Sequence, residues 1–479
     1  MATVDEDLPL LDRIKQHPRP AAIWLGGVLV LFALQLGAVA GWMLALPWEA
    51  VGSVVPTIPG VGLLAGALER VASLPTVLSE ELIPNQGYHI PGEGWQETFM
   101  GLSPAQAWAL RVLLIYTYGF TWFGWLWYGY LIFRRNYRYA KWTPRDDMID
   151  RLRSHRWGQF GLIIVLMFLV MVLFAPAMSP TSVEQNIQDP YTHDITIYDE
   201  STGEVTTITA GEANGNSYSR GSPDNNVGPM EYDEYDRFAP FGTLDDGKDL
   251  FTFIAYGSRV SLIIGLISII LAGLIATTFG MVTAYYKGAV DLSVVVTGDS
   301  IQAMPRLLLL ILLSVILSGT WLAGLYNGGV LLALIFAGTG WPGLWRALRG
   351  PAFQISEKEW VDAAKSYGQT PSKTMKKHMF PYVLGYLLIY SSLNLGGVII
   401  GIAGLSFLGI GINPPTPEWG RAISAGQPYV ATASWHISIL PGILIVLVVT
   451  AFNALGDGIR DAIDPESYDS TAEAGGTGA

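Results

Sequence analysis

Long uncharged runs separated by short polar segments set the first expectation for this chain of 479 residues. A helix needs about 20 apolar residues to cross a bilayer. Ala21–Leu46, Val112–Phe133, Trp157–Met178 and Val260–Tyr286 all qualify. Leu307–Trp345 and Tyr382–Pro417 are also uncharged, the first long enough for parts of two spans. The pattern predicts an all-α integral membrane protein with about eight transmembrane helices. They are those four, then Thr297–Ser318, Gly329–Trp345, Val383–Leu408 and Ile437–Leu455. Ala21–Leu46 reads as a retained helix: it ends in Leu46-Pro47-Trp48, not in a small-residue cleavage site.

Composition supports the same class, with 51% hydrophobic and 14% charged residues. Basic residues orient the chain. With the N-terminus inside, 20 of the 28 Lys and Arg fall on the inner side, seven outside and Arg306 within a span. Both termini are then cytoplasmic in a multi-pass plasma-membrane protein. The net charge of −12 comes from outside, where Ser179–Arg259 carries fifteen acids against four bases. A solvated acidic loop explains this, and so does a halophilic prokaryote whose acidic surfaces stay soluble in salt. Zero cysteines excludes disulfides and thiolate metal sites.

Residues 1–156 form a two-helix extension with an outer segment at 47–111, and 157–465 the core. Within the outer loop 179–259, Ile195–Tyr198 and Val205–Ile208 flank a turn and predict a small β-hairpin. Asn214–Gly228, rich in Gly, Asn and Ser, reads as mobile, and the tail 466–479 as disordered. No repeat supports an inverted-repeat secondary transporter.

The segment 346–381 between two apolar runs holds the most informative polar stretch, Ser356–Pro381. Ser356 with Glu359 reads as a capping box opening a short helix. Gly368 suits its left-handed stop, and Thr370-Pro371 opens a second helix. Asp362-Ala363-Ala364, Gly368 and Pro381 resemble the EAA loop of ABC-importer permeases, with Asp362, His378 and Phe380 departing from the family pattern. The resemblance implies that Glu359, Asp362, Ala363, Ala364, Gly368 and Pro381 contact a separate ATPase.

Three further stretches are similar to the C-type subunit of the dipeptide/oligopeptide/nickel group. They are Phe241–Leu262 with Asp249 and Arg259, Ser406–Gly420 with Trp419, and Phe452–Pro465. Gly242–Lys248 imitates a phosphate-binding loop, but Asp249 replaces the required hydroxyl and Asp245 and Asp246 would repel phosphate. Trp419 is expected to cover a cavity mouth or wedge at an interface, and Arg259 to anchor at the outer interface. Asp299 and Arg306, seven residues apart on one helix face, and Asn394 are candidate pathway polar residues. His378 and His436 lack ligand spacing, and no metal site is expected.

The resemblance implies a six-helix type I importer core plus two extra helices, forming half of a pathway for peptides or related solutes. It implies a homologous B-type permease, two ABC ATPase subunits using ATP-Mg, an extracellular solute-binding protein and membrane lipid as partners. Nucleic acid is not expected. The chain itself would bind no cofactor and catalyse no reaction. A lone channel or a non-transporting scaffold are the competing classes.

Overall fold

The computed structural model describes residues 9–44, 70–74, 76, 83–84, 86–138, 140 and 142–463. Much of the predicted outer segment 47–111 and the whole predicted tail 466–479 lie outside these. Five helices are long and apolar enough to cross a membrane: Arg156–Met178, Leu250–Tyr286, Trp321–Ser356, Pro371–Phe407 and His436–Ile463. A sixth span arises if the bent pair Gly288–Gln302 and Arg306–Leu317 counts as one. The two remaining expected spans are a short helix, Pro18–Ala33, and a 33-residue helix, Pro104–Asn136, studded with Trp and Tyr.

That bend corrects the sequence expectation of one continuous helix over Thr297–Ser318. The two halves meet at 87°. Pro305 has no N–H to give, and it disfavours helical geometry at the residue before it, so the chain stops at Gln302 and restarts at Arg306. Asp299 and Arg306 therefore do not share a helix face.

The Leu250–Tyr286 helix, 37 residues long, is the axis of the bundle and packs on Gly329–Ser356, Phe380–Phe407 and Arg156–Met178. Lipid is as apolar as Leu, so close backbone approach at small residues does much of the cohesion. Gly161 faces the last helix so tightly that a Cβ there would lie 2.5 Å from the Ala451 carbonyl oxygen. The extension is joined by a reciprocal exchange. Trp24 Nε1 donates to the Trp125 carbonyl (3.1 Å), and Trp125 Nε1 donates to the Trp24 carbonyl (3.0 Å). Each indole lies over a glycine of the opposite helix, Gly129 and Gly27. Trp24 and Trp125 thus serve helix packing, whereas Phe120, Trp127, Tyr128 and Phe133 of the long helix stay exposed.

The Leu250 end of the axis carries the small polar module. Asp194–Asp199 and Glu204–Thr209 pair antiparallel, Ile195 opposite Ile208, around a turn closed by Gly203 N–H to the Asp199 carbonyl (2.8 Å). Thr209 and Glu212 form a capping box for the helix Ala210–Asn216. The stretch expected to be mobile, Asn214–Gly228, is anchored at several points while Tyr218, Arg220 and Asp224 stay exposed. Asn214, Ser217 and Ser219 are buried, and Arg237 donates to Asn214 Oδ1 (2.8 Å).

Gly161→Ala should destabilise the bundle by about 1–3 kcal/mol through overpacking against backbone that cannot retreat. Gly26→Ala, where a Cβ meets nothing within 4 Å, should be neutral or slightly stabilising. Thermal unfolding in detergent of both variants checks this; equal melting temperatures would refute the packing account.

Candidate functional site

The capped loop lies at the other end of the axis. Glu359–Ser366 is a short helix with Val361 fully buried beneath it, while Glu359, Asp362 and Ala363 are exposed. Tyr367 is 92% exposed and Trp360 44%, an aromatic pair left uncovered beside the acids. Gly368 adopts φ +74°, and the stop is a Schellman pair. Gly368 N–H donates to Lys365 O (2.9 Å) and Gln369 N–H to Ala364 O (3.0 Å). Thr370 stands at the next cap with Pro371 first in the helix, although its hydroxyl makes no capping bond. The helix that Pro371 opens runs on through a wide helical turn at Met375–Met379 into Phe380–Phe407, with Pro381 in the first turn of that last part.

The expected capping box at Ser356 is absent. Ser356 is the last residue of the Gly329–Ser356 helix, and its hydroxyl donates back to the Phe353 carbonyl (2.8 Å). Lys358 occupies the cap of Glu359–Ser366 instead. The preceding helix runs further than its uncharged run because its first two cations are neutralised. Arg346 pairs with Asp299, and Arg349 grips Asp291 with both nitrogens of its fork, Nε to Oδ1 at 2.8 Å. Lys287 Nζ meets Glu357 Oε1 at 2.9 Å. These three pairs bind the half-helix Gly288–Gln302, antiparallel, to the helix that enters the loop. Lys365 of the loop lies over the Tyr285 ring at 5.1 Å, and Trp360 against Tyr382 at 5.7 Å. Asp299 is thus a tether to Arg346, a role that sequence spacing alone did not reveal.

Where that half-helix ends, a cavity of ≈ 320 Å³ opens between the broken pair and the helices Leu250–Tyr286, Gly329–Ser356 and Phe380–Phe407. Gln302, Arg306, Thr339 and Asn394 give its polar wall; Ile269, Phe336 and Leu344 belong to its apolar one. The structure brings Arg306 and Asn394 together here and keeps Asp299 out. The glycine face of the Phe380–Phe407 helix divides its work: Gly401 receives the Phe336 ring, whereas Gly397 and Gly404 face open space.

The signatures at the Leu250 end are structural. Asp249 caps the axis helix, its Oδ1 accepting from Thr252 N–H (2.6 Å), and its own N–H donates to Asn186 Oδ1 (2.8 Å). Trp419 corrects the expectation of a mouth cover or interface wedge. It is fully buried in the bundle, donating from Nε1 to the Ile254 carbonyl (2.8 Å) and packed on Phe168. Pro414–Pro417 forms a turn closed by Thr416 N–H to Asn413 O (3.2 Å), which leads into a further short helix, Trp419–Gly426. Glu418 beside it is buried, accepting from Gly420 N–H (2.6 Å) and Ser261 Oγ (3.2 Å), and burial pushes its carboxyl up. Arg259 sits inside the axis helix near the Tyr256 ring (6.0 Å), well past its start at Leu250, whereas the sequence had the apolar span begin after it at Val260. Gly242–Lys248 is a tight turn, Leu244 N–H to Lys248 O at 2.8 Å, with Lys248 held by Asp246. His436 is buried, bonded through Nε2 to the Thr243 carbonyl (2.9 Å). Among the described residues no cluster could hold a metal.

Residues 256–467 match the family model of binding-protein-dependent transport system inner membrane components. Residues 143–195 match that of the N-terminal TM domain of oligopeptide transport permease C. A dipeptide transport system permease protein of Bacillus subtilis (strain 168) is 30% identical, over 67% of this chain and 85% of its own. That of Alkalihalophilus pseudofirmus is 28% identical over 69% and 92%. A glutathione transport system permease protein of Pectobacterium atrosepticum is 34% identical over 46% and 70%. A crystal structure of an amino acid ABC transporter with histidines superposes with TM-score 0.33 and 14% identity, over 43% of this chain and 91% of that one.

Burial raises the Asp249 carboxyl from 3.8 to about 6. A folded-state value above the unfolded one favours the folded protein when the group is protonated. Its contribution is full below pH 3.8 and is lost as pH rises through about 6. Asp249→Asn keeps the cap, so it should remove this slope while leaving the fold intact. Asp249→Ala should cost about 0.5–2 kcal/mol in cap energy. Unfolding in detergent between pH 4 and 7 reads both, and an unchanged slope in Asp249→Asn would overturn the assignment.

Proposed function

The chain belongs to the family of binding-protein-dependent transport system inner membrane components, and we propose that its loop at Glu359–Pro381 carries the motion of a nucleotide-hydrolysing partner to the broken helix. It is a multi-pass permease subunit of an ATP-driven importer of the peptide class and is not catalytic by itself. ATPase and substrate-binding partners follow from that membership. The relatives' names speak for dipeptides, oligopeptides or glutathione as substrates.

Beyond this, we read the chain as one half of a pathway completed by a homologous B-type permease. Two ATPase subunits bind ATP-Mg and dock where Glu359, Asp362, Ala363 and Tyr367 stand exposed. The observation that carries the reading is the rigid short helix, stopped by left-handed Gly368, at the end of a helix tied by ion pairs to the half-helix bordering the cavity. A displaced loop pulls Gly329–Ser356, the Asp291–Arg349 and Asp299–Arg346 pairs carry Gly288–Gln302 along, and the cavity wall moves. Pro381, at the opposite margin of the loop, gives a firm exit into the next span.

The cation distribution supports N-in, C-in topology, with the acidic module outside facing the binding protein. Its charge supports a salt-rich habitat.

Gly368→Val forces a β-branched residue into a left-handed backbone, costing about 1–3 kcal/mol, and Asp362→Arg reverses an exposed charge. Each should lower ATP-driven uptake at least roughly tenfold with the chain still in the membrane. Normal uptake by both, at matched membrane levels, would sink the coupling role. The chain has no cysteine, so topology is testable by single thiols. An impermeant maleimide should label Thr202→Cys in intact cells and Ser154→Cys only in inverted vesicles; the reverse pattern overturns the orientation.

A further inference from the structure

The cavity at the broken helix is chemically one-sided. Its lining includes a single ionisable side chain, Arg306, and the amides of Gln302 and Asn394, with no Asp, Glu or Lys among the described residues. Arg306 has neither an ion pair nor a hydrogen bond to any described residue. The acid nearest in sequence, Asp299, is taken by Arg346. Asn394 spends one amide N–H on the Tyr390 carbonyl (2.7 Å) and keeps the other N–H and its oxygen available. An uncompensated cation at membrane depth is costly and is retained where it meets a partner. At ≈ 320 Å³ the space is within the range of small-molecule sites, roughly 300–1,000 Å³.

We propose that this cavity binds the free carboxylate of a small solute, with Arg306 as the group that holds it. The proposal rests on the pathway reading above. A guanidinium offers two parallel N–H donors that match the two carboxylate oxygens, and Gln302 stands beside it as a further donor. Ile269, Phe336 and Leu344 face the rest of the solute, so uncharged side chains are accommodated. A free ammonium finds no counter-charge in the wall. The site therefore selects for the acid end of its ligand, and an otherwise identical solute with that end blocked as an amide loses the contact. In an importer, a hold of this kind must also be weak, because the solute has to leave. A solvent-reached Arg on a movable helix break meets that need better than a closed pocket.

Met304 lines the same wall and is 53% exposed. With no other cysteine in the chain, Met304→Cys places one thiol beside Arg306. The complex of both permeases and the ATPases is purified without binding protein, so the latter's own selectivity does not enter. Maleimide labelling of this subunit is then followed with an uncharged-side-chain dipeptide and with its C-terminal amide. The acid should slow labelling roughly tenfold when present at about ten times its Kd, and the amide should leave labelling unchanged. Adding Arg306→Gln should abolish protection by the acid, and Arg306→Lys should retain part of it. Equal protection by acid and amide, no protection by the acid at any millimolar concentration, or full protection in Arg306→Gln overturns the proposal. So does dissociation of the two permeases in Arg306→Gln, which would assign Arg306 to an ion pair across their interface. ATP-driven uptake of the same dipeptide by the unsubstituted complex, with its binding protein restored, is measured in parallel. Its absence, with protection intact, would sink the importer reading and leave the site standing.

Discussion

A helix that stops within the membrane must find partners for the backbone groups it strands, and lipid offers none. The break at Ala303–Pro305 is therefore tolerable only where protein or a wetted cavity receives it. Both conditions meet here. Pro305 removes one donor outright, and the break opens on a cavity with amides and a guanidinium in its wall. What fixes the location of the break fixes the rest. The half-helix before it is short, cannot span alone, and is held to its neighbour by ion pairs beside a narrow apolar strip, with Val294, Val295 and Ile301 on the core and Gly298 against Pro342 and Trp345.

That choice of adhesive matters for motion. Exposed ion pairs contribute only about 0–1 kcal/mol each, and the Asp299–Arg346 pair is roughly half exposed on both sides, 53% and 51%. A ladder of such pairs resists sliding along the helix axis through geometry, yet it costs little to loosen one rung. Arg349 adds stacking near Phe353 at 4.9 Å, which keeps it aligned when the pair stretches.

Much of this was legible from residue order. The apolar runs located the spans, Gly368 announced a left-handed stop, and alternation around Asp199–Gly203 announced the hairpin. The misreadings share a physical origin: charges were taken to mark helix ends. Arg346 and Arg349 lie well inside a helix because Asp299 and Asp291 neutralise them, so Ser356, treated as a cap, is a C-terminal residue. Arg259 is likewise interior, and the axis helix begins at Leu250, under the Asp249 cap. Pairing across 47 or 58 positions leaves no local trace in sequence. Pro305 was the one local signal of the break, and the uninterrupted hydrophobicity around it concealed its effect. Trp419 was misplaced for the same reason: an indole beside prolines looks like a surface feature until the carbonyl that accepts its N–H, 165 residues away, is known.

The two ends of the bundle are consequently built to different mechanical standards. At the Leu250 end, Asp249, Glu418 and Trp419 are buried and spend hydrogen bonds on backbone groups of neighbouring segments. Disturbing any of them strands a buried polar group, which costs about 1–3 kcal/mol per group. At the loop end Val361 and Met379 are buried, but the ties to Gly288–Gln302 include exposed ion pairs, whose rupture is repaid by water. On the proposed coupling, a force applied at the loop would be taken up by the half-helix and the break, while the far end would hold its shape. Alternating access needs one part to move against another that does not, and under the proposed coupling the distribution of buried polar bonds along this chain would mark the Leu250 end as the fixed part.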